Sequence, residues 1–200
     1  MTRPIVRSID TGFGNTKFTL TDSRSPAGIE AGLFPSLAPP HSPVATGMEQ
    51  FSSRDTKVIE VGARLVEVGK DVRLAMSTRS GRTLHKDFST TDTYMALTRG
   101  AMAYMDLERI DLLVVGLPVQ AVAARQDALV ARLKGNHPMP GGKKIWVQNV
   151  QVLAQPIGGF MDYAKSTHLY ETMRNERNLL IDVGFFTTDW VTAQGIRAMP

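Results

Sequence analysis

A chain of 200 residues in which 42% are hydrophobic and 21% are charged has the composition of an ordinary globular protein, long enough for one domain and part of another. Its lack of cysteine excludes disulfide frameworks and thiol nucleophiles, and the lack of a signal peptide or a membrane-length apolar run predicts a cytoplasmic protein with no membrane partner. The formal net charge is +4, but the basic residues are scattered along the chain, so a specific contact with DNA is not predicted.

The N-terminal segment predicts a strand, a tight turn and a second strand. Ile5–Ile9 is rich in β-forming residues and ends at Asp10, residues 11–15 contain the turn glycines, and Lys17–Thr21 alternates polar and apolar side chains. A third strand is predicted over Ala27–Phe34. This order differs from the strand, loop and helix that open a dinucleotide-binding fold.

A proline-rich stretch and a hairpin follow. Residues 35–55 contain four prolines among many small polar residues, which predicts a mobile loop. Val58–Val61 and Arg64–Val68 are β-rich and flank a Gly-Ala pair, so we expect them to form a β-hairpin.

From residue 91 onward, helix and strand patterns alternate. Thr91–Met105 repeats apolar residues at helical spacing, and either Thr90 or Thr91 is a suitable N-cap. Further helices are predicted at Ala121–Leu133 and Gly158–Arg174, and strands at Ile110–Val115, Lys144–Val147, Val150–Leu153, Leu179–Asp182 and Thr187–Thr192. The last two strands flank a glycine and predict a further hairpin near the C-terminal end.

The first turn has the residue types that a phosphate group needs. Gly12 and Gly14 let backbone N–H groups approach an anion closely, and Lys17 adds a positive charge. Asp10, at the end of the strand, is suited to hold Mg²⁺ through water. The pattern contains neither the Rossmann nor the Walker A glycine spacing. The alternative is a glycine-rich hairpin in which Asp10 only caps the turn.

The same arrangement recurs near the C-terminal end of the chain. Asp182 ends a predicted strand, Gly184 follows, and Thr187 and Thr188 supply hydroxyl groups. Two such hairpins in one chain predict that both hold the same polyphosphate, one from each side.

At these residues the sequence resembles a known family. The run Asp10-Thr-Gly-Phe-Gly-Asn-Thr-Lys17 and the strand end Val115-Gly-Leu-Pro-Val119 are similar to the ParM/StbA branch of the actin-like ATPases, and within it to the proteins of the PRTRC gene cluster. Asp10–Lys17 looks like the family's phosphate-1 loop, and Asp182–Asp189 looks like its phosphate-2 loop. The resemblance implies an α/β fold of the actin-like, ribonuclease-H-like type, with a mixed sheet and flanking helices.

The resemblance also implies the site. The residues expected to bind ATP or GTP are Asp10, Gly12, Gly14, Asn15, Thr16, Lys17, Asp182, Gly184, Thr187 and Thr188. Asp10 and Asp182 are expected to hold Mg²⁺, and Gln155 and Asp182 are the catalytic candidates. In the family, a Gln or Glu at the place of Gln155 orients the water that attacks the γ-phosphate. The alternative is that Gln155 only begins the helix before Pro156.

The implied domain division has three parts. Residues 1–157 are expected to form the first domain, residues 158–177 an interdomain helix, and residues 178–200 the first hairpin of a second domain that this chain does not complete. We therefore expect Leu179–Ile181 to lack sheet partners. Hydrolysis is expected of the complete two-domain protein.

The implied function is that of a filament-forming ATPase in plasmid DNA segregation. Its expected partners are other copies of itself and a DNA-bound adaptor protein on the plasmid. Two alternatives stay open at this point: a small-molecule kinase of the same fold, such as a sugar kinase, and a scaffold that does not hydrolyse nucleotide.

Overall fold

The computed structural model describes residues 3–22, 24–25, 28–42, 54–76, 85, 87–195 and 197–199. The strands are β1 (Val6–Thr11), β2 (Asn15–Thr19), β3 (Ala31–Pro35), β4 (Thr56–Val61), β5 (Arg64–Gly69), β6 (Arg109–Leu117), β7 (Gly135–Pro138), β8 (Lys144–Ala154), β9 (Asn178–Val183), β10 (Thr188–Gln194) and β11 (Arg197–Met199). The α-helices are α1 (Asp92–Met105), α2 (Val119–Leu133), α3 (Gln155–Ser166) and α4 (Tyr170–Met173).

The main sheet has six strands in the order β3-β2-β1-β6-β8-β7. The three N-terminal strands pair antiparallel to one another, whereas β1, β6 and β8 run parallel, and β7 returns antiparallel to β8. The expected mixed sheet with flanking helices is therefore confirmed. Because β1, β6 and β8 are parallel, their carboxyl ends meet at one edge of the sheet.

Helix α1 packs its apolar side against this sheet and against the β4–β5 hairpin. The hydroxyl of Thr91 accepts a hydrogen bond from the backbone N–H of Tyr94 at 3.1 Å, so the predicted N-cap is confirmed. Leu97 and Ala101 are fully buried, as their helical spacing predicted. Thr98 lies 3.2 Å from the hydroxyl of Thr11, which ties the helix to β1 next to the first turn.

The sheet differs from the prediction in two places. The strands expected at Lys144–Val147 and Val150–Leu153 are joined into a single strand, β8, because pairing with β6 includes Asn149 in the polar segment between them. The strand β7 was not predicted, since a short run containing glycine and proline has the local pattern of a turn. Its pairing with β8 stabilises the extended conformation.

The long helix expected at Gly158–Arg174 is also wrong. The helix α3 begins earlier, at Gln155, with Pro156 in its first turn, where proline is well tolerated. It ends at Ser166, and His168 then adopts a positive φ of 58° before the short α4 begins. A left-handed residue stops the helical hydrogen-bond pattern, so the segment forms two helices.

The second sheet consists of β9, β10 and β11, all antiparallel, and includes the predicted second hairpin. One face packs on α3, where Ile157, Val191 and Ala193 are buried. The opposite face leaves Ile181 and Trp190 exposed. These two residues are directly opposite each other in the β9–β10 pair, so they form one apolar surface.

The predicted loop at 35–55 is only partly described, and residues 43–53 lie outside the described residues. Its two flanks meet at the buried carboxylate of Glu67. His41 Nδ1 lies 2.9 Å from this carboxylate, Arg54 donates to it at 3.1 Å and Thr56 donates at 3.2 Å. In the described part of the chain, no helix is both long enough and apolar enough to span a membrane.

Candidate functional site

Four of the predicted site residues line one end of an open cleft of about 700 Å³. Asp10 comes from β1, Lys17 from β2, Gln155 from the start of α3 and Asp182 from β9. The two sheets therefore contribute to one cleft, with α3 between them. The structure brings together residues that are far apart in the sequence.

Asp10 directly contacts two of these cleft residues, Gln155 and Lys17. The Gln155 amide donates a hydrogen bond from Nε2 to Asp10 Oδ1 at 2.8 Å. Lys17 Nζ lies 3.8 Å from Asp10 Oδ2. The β1–β2 register pairs Asp10 directly with Lys17, and opposite residues in an antiparallel pair project to the same face. The spacing of this hairpin thus brings a cation to the carboxylate.

The environment of Asp10 disfavours its negative charge. Burial raises the pKa of the Asp10 carboxyl, and the nearby Asp182 carboxylate adds to the increase. Lys17 and the Gln155 amide act in the opposite direction. Two carboxylates facing each other in a partly buried cleft attract a further cation.

The first turn is closed by its own backbone. The Gly12 N–H donates to the Asn15 carbonyl at 3.2 Å, and the Gly14 carbonyl accepts from the Ser36 N–H at 3.0 Å. Thr16 is fully buried, and its hydroxyl lies 3.0 Å from that of Ser36. Side chains alternate along a strand, so Thr16 projects away from the cleft. The contact with phosphate that was predicted for Thr16 therefore has to come from its backbone and not from its hydroxyl.

The second turn has a similar arrangement. The Gly184 N–H donates to the Thr187 carbonyl at 2.9 Å. Thr188 pairs with Val183, whereas Asp189 pairs with Asp182. Since side chains alternate, the Thr188 hydroxyl is on the opposite face of the hairpin from Asp182, and the structure does not bring it into the cleft.

The tips of the two turns contact each other through aromatic rings. The rings of Phe13 and Phe186 lie 5.0 Å apart in an edge-to-face arrangement, and Phe13 also stacks on Phe88 at 4.9 Å. A Cβ atom added at Gly14 would lie 3.0 Å from the Cβ of Phe185. The two predicted phosphate loops are thus neighbours, but this aromatic contact was not predicted.

Two further residues of the site were not predicted. Asp189 is buried, and burial together with the neighbouring Asp182 raises the pKa of its carboxyl. It lay within the second motif, and the strand alternation that places it beside Asp182 was available from the sequence. Gly116 lies under the Asp10–Gln155 hydrogen bond, and a local pattern does not reveal this position.

The carboxylates fit a hydrated divalent cation better than a metal site made by the protein alone. Among the described residues, no group of three or more His, Asp or Glu side chains is arranged to hold a metal ion. Asp10 and Asp182 supply oxygen ligands, the type that Mg²⁺ prefers, and Mg²⁺ usually keeps several water molecules. These two residues therefore suit Mg²⁺ that is also held by water and phosphate oxygens.

The mixed sheet, the second sheet and the two facing hairpins define an α/β protein of the actin-like class. The family model of the N-terminal domain of actin-like proteins matches residues 8–158, which is more than half of the chain. The chain belongs to this family of actin-like proteins. No curated protein matches the sequence.

Solved structures of actin-like proteins have the same fold. The AlfA filament bound to AMPPNP is 15% identical with a TM-score of 0.70, and the match covers 98% of this chain and 67% of that chain. AlfA is from B. subtilis plasmid pLS32. The apo psk41 ParM protein is 18% identical with a TM-score of 0.70, covering 99% and 64% of the two chains.

An archaeal relative completes the comparison. Ta0583, an actin homologue in complex with ADP, is 16% identical with a TM-score of 0.66, covering 98% of this chain and 58% of that chain. The chain thus spans about two thirds or less of the length of these three structures. At these identities, the likeness shows the fold alone.

Proposed function

We propose that this chain is the N-terminal part of an actin-like ATPase that binds ATP with Mg²⁺ between its two hairpin loops and hydrolyses it. The observation that carries the proposal is the meeting of Asp10, Lys17 and Gln155, with Asp182 facing them from the second sheet. Family membership supports the proposal, as do the AMPPNP and ADP in the structures of two relatives.

Each cleft residue has a proposed role. Lys17 and the first loop hold the phosphates from one side, where Gly12 and Gly14 allow close approach, and the loop of Gly184 and Thr187 holds them from the other. The N–H groups of Gly12 and Gly184 close their own turns, so the proposed donors are the other polar groups of these loops. Asp10 and Asp182 are the ligands proposed for hydrated Mg²⁺, which neutralises phosphate charge when it is bound.

Gln155 is proposed to orient the attacking water. Its amide is held against Asp10, so its direction is fixed before nucleotide binds. An amide aligns a water molecule by hydrogen bonding but is a poor general base, which suits slow hydrolysis. Gln155 also begins α3, so the two roles considered for it are compatible.

We propose that the nucleotide-bound protein assembles head to tail into filaments in the cytoplasm and positions plasmid DNA through a DNA-bound adaptor protein. A contact between two different surfaces repeats without closing, which produces a filament. AlfA in its filament and the plasmid origin of AlfA support this part of the proposal. The division into a first domain, a connecting segment and a second domain is part of the same proposal.

The test is sedimentation of the complete two-domain protein with Mg-ATP, with Mg-ADP and without nucleotide, with phosphate release measured in parallel. We expect a pellet with Mg-ATP alone, which decreases as phosphate is released. Phosphate release without a pellet would contradict the filament and favour a monomeric ATPase or kinase. Neither signal would contradict both parts of the proposal.

A matched pair of variants tests the site. Gln155→Ala is expected to lower phosphate release by about tenfold or more, because the water loses its orientation, while nucleotide still binds. Gln151→Ala changes an exposed glutamine on the neighbouring β8 and is expected to leave the rate unchanged. Equal rates for wild type and Gln155→Ala would remove Gln155 from the mechanism.

A further inference from the structure

We propose that Gly116 is a positioning residue, whose lack of a side chain lets the Gln155 amide reach Asp10 across the middle of the sheet. This inference rests on the proposed function for its meaning in catalysis. The position of the Gln155 amide over Gly116 follows from the strand order and from the contacts around Gly116, whatever the function is.

The strand order explains why a glycine is needed. β6 lies between β1 and β8 in the sheet. Neighbouring strands are about 4.7–4.9 Å apart, so the backbones of β1 and β8 are separated by about twice that distance. Asp10 follows the β1 residue that pairs with Val115, and Gln155 follows the last residue of β8. Their hydrogen bond of 2.8 Å therefore passes over β6.

Gly116 is the β6 residue beneath this hydrogen bond. A Cβ atom at Gly116 would lie 2.7 Å from Gln155 Cγ, 3.3 Å from Asp10 Oδ1 and 3.7 Å from Gln155 Cα. All three atoms belong to the two hydrogen-bonded residues. A side chain at this position would push Gln155 away, because a carbon atom at 2.7 Å is closer than packing allows.

Backbone conformation does not explain the glycine. Gly116 is in the regular part of β6 and is not among the residues with positive φ in the described chain. Its neighbours Val115 and Leu117 are almost fully buried on the other face of the strand. Alanine would therefore be compatible with the backbone, and the space above Gly116 is the constraint.

The consequence concerns both ends of the hydrogen bond. With Gly116, the Gln155 amide is held by the hydrogen bond that it donates to Asp10. With a larger residue, Gln155 must turn away, so Asp10 loses a donor and the amide loses its fixed direction. The two losses would occur together because one contact produces both.

The experiment is a double-mutant cycle of Gly116→Ala and Gln155→Ala in the full chain, read by the urea midpoint of each variant and by the NMR signals of the Gln155 side-chain amide. We expect Gly116→Ala to shift the Gln155 Nε2 amide signals and to lower the midpoint, and to lower it much less in the Gln155→Ala background, since Gly116 acts through Gln155. Gly159→Ala is the matched control, because a Cβ there meets no atom within 4 Å although Gly159 lines the same cleft. Unchanged Gln155 amide signals in Gly116→Ala would overturn the inference.

The same variants distinguish a folding defect from a loss of activity. If Gly116→Ala alone fails to fold, the double variant is expected to fold, because removing the Gln155 side chain removes the clash; a double variant that also fails would overturn the inference. In phosphate release, Gly116→Ala is expected to lower kcat about tenfold with little change in KM. Absence of hydrolysis in the wild type would reject the proposed function, while the Gln155 amide signals would still decide the role of Gly116.

Discussion

Asp10 contacts both Gln155 and Lys17 at the cleft, and its surroundings have opposite effects on the pKa of its carboxyl. Lys17 and Gln155 favour its carboxylate, whereas burial and Asp182 favour its protonated form, and burial is the largest effect. The charged Asp10 carboxylate therefore lowers the stability of the folded protein. Such destabilised groups are common at functional sites, where side chains are placed to bind ligands.

The charge on Asp10 should be visible in the pH dependence of stability. Its pKa is raised in the folded state, so its contribution to stability is present below the usual pKa of aspartate and is lost as pH rises through the folded value. Asp10→Asn keeps an acceptor for Gln155 but removes the charge. We therefore expect a higher urea midpoint than wild type at pH 7 and a smaller difference near pH 4.

Asp22→Asn is the control with the opposite sign. Hydrogen bonds from Arg24 lower the pKa of Asp22 to about 2, so its contribution is present above the usual pKa and is lost as pH falls toward that value. Asp22→Asn is expected to lower the midpoint slightly at pH 7, because the Asp22–Arg24 pair is partly exposed and solvent screens it. Shifts of the same sign in both variants would contradict the account of Asp10.

At the scale of elements, close approach of a helix and a hairpin positions the first loop. Gly100 in α1 is buried, and a Cβ atom there would overlap with Val68 Cγ2 on β5. The same helix carries Thr98, which contacts Thr11 in β1. The packing of α1 on the β4–β5 hairpin is therefore linked to the strand that carries Asp10.

Gly100→Ala is expected to destabilise the protein by about 1–3 kcal/mol, because the helix must move away from β5. Gly159→Ala in α3 is the comparison, since no atom lies within 4 Å of the added Cβ, and alanine should stabilise that helix by about 0.5–1 kcal/mol. Thermal unfolding of both variants measures the difference. A neutral Gly100→Ala would show that α1 adjusts freely.

At the scale of the whole molecule, the two sheets differ in how well they are covered. The six-stranded sheet contributes the main core, whereas the outer face of the three-stranded sheet exposes Leu179, Ile181 and Trp190. The expectation that Leu179–Ile181 lacks sheet partners is wrong for one edge of β9, which pairs along its length with β10, whereas β9 is the edge strand of this sheet on its other side. Contiguous exposed apolar side chains on a sheet favour association with other surfaces.

This chain is therefore expected to self-associate through that face as its concentration rises. Trp190 is 66% exposed there, and Trp190→Thr should lower light scattering while changing the free energy of unfolding by less than about 0.5 kcal/mol. The other tryptophan, Trp146, is 45% exposed on β8, and Trp146→Thr serves as control. Equal effects of the two variants on scattering would argue against a specific role for the second sheet.

Much of the fold could be predicted from local patterns. Turn glycines beside alternating strands predicted the β1–β2 and β9–β10 hairpins. The spacing of apolar residues with a threonine cap predicted α1. The break at His168 could not be predicted, because the helical pattern of polar and apolar residues continues through it. The strand β7 depends on pairing with β8 and not on its own composition.

The sequence by itself determined which chemical groups the cleft contains, because two strand-ending aspartates, turn glycines and a lysine form local motifs. Only the tertiary structure decided how they meet. Asp10 and Gln155 are 145 positions apart, and their contact depends on the order β1-β6-β8 and on the space above Gly116. Strand order depends on long-range pairing. The local motif around Asp10 therefore cannot predict that a glycine of another strand lies beneath its contact with Gln155.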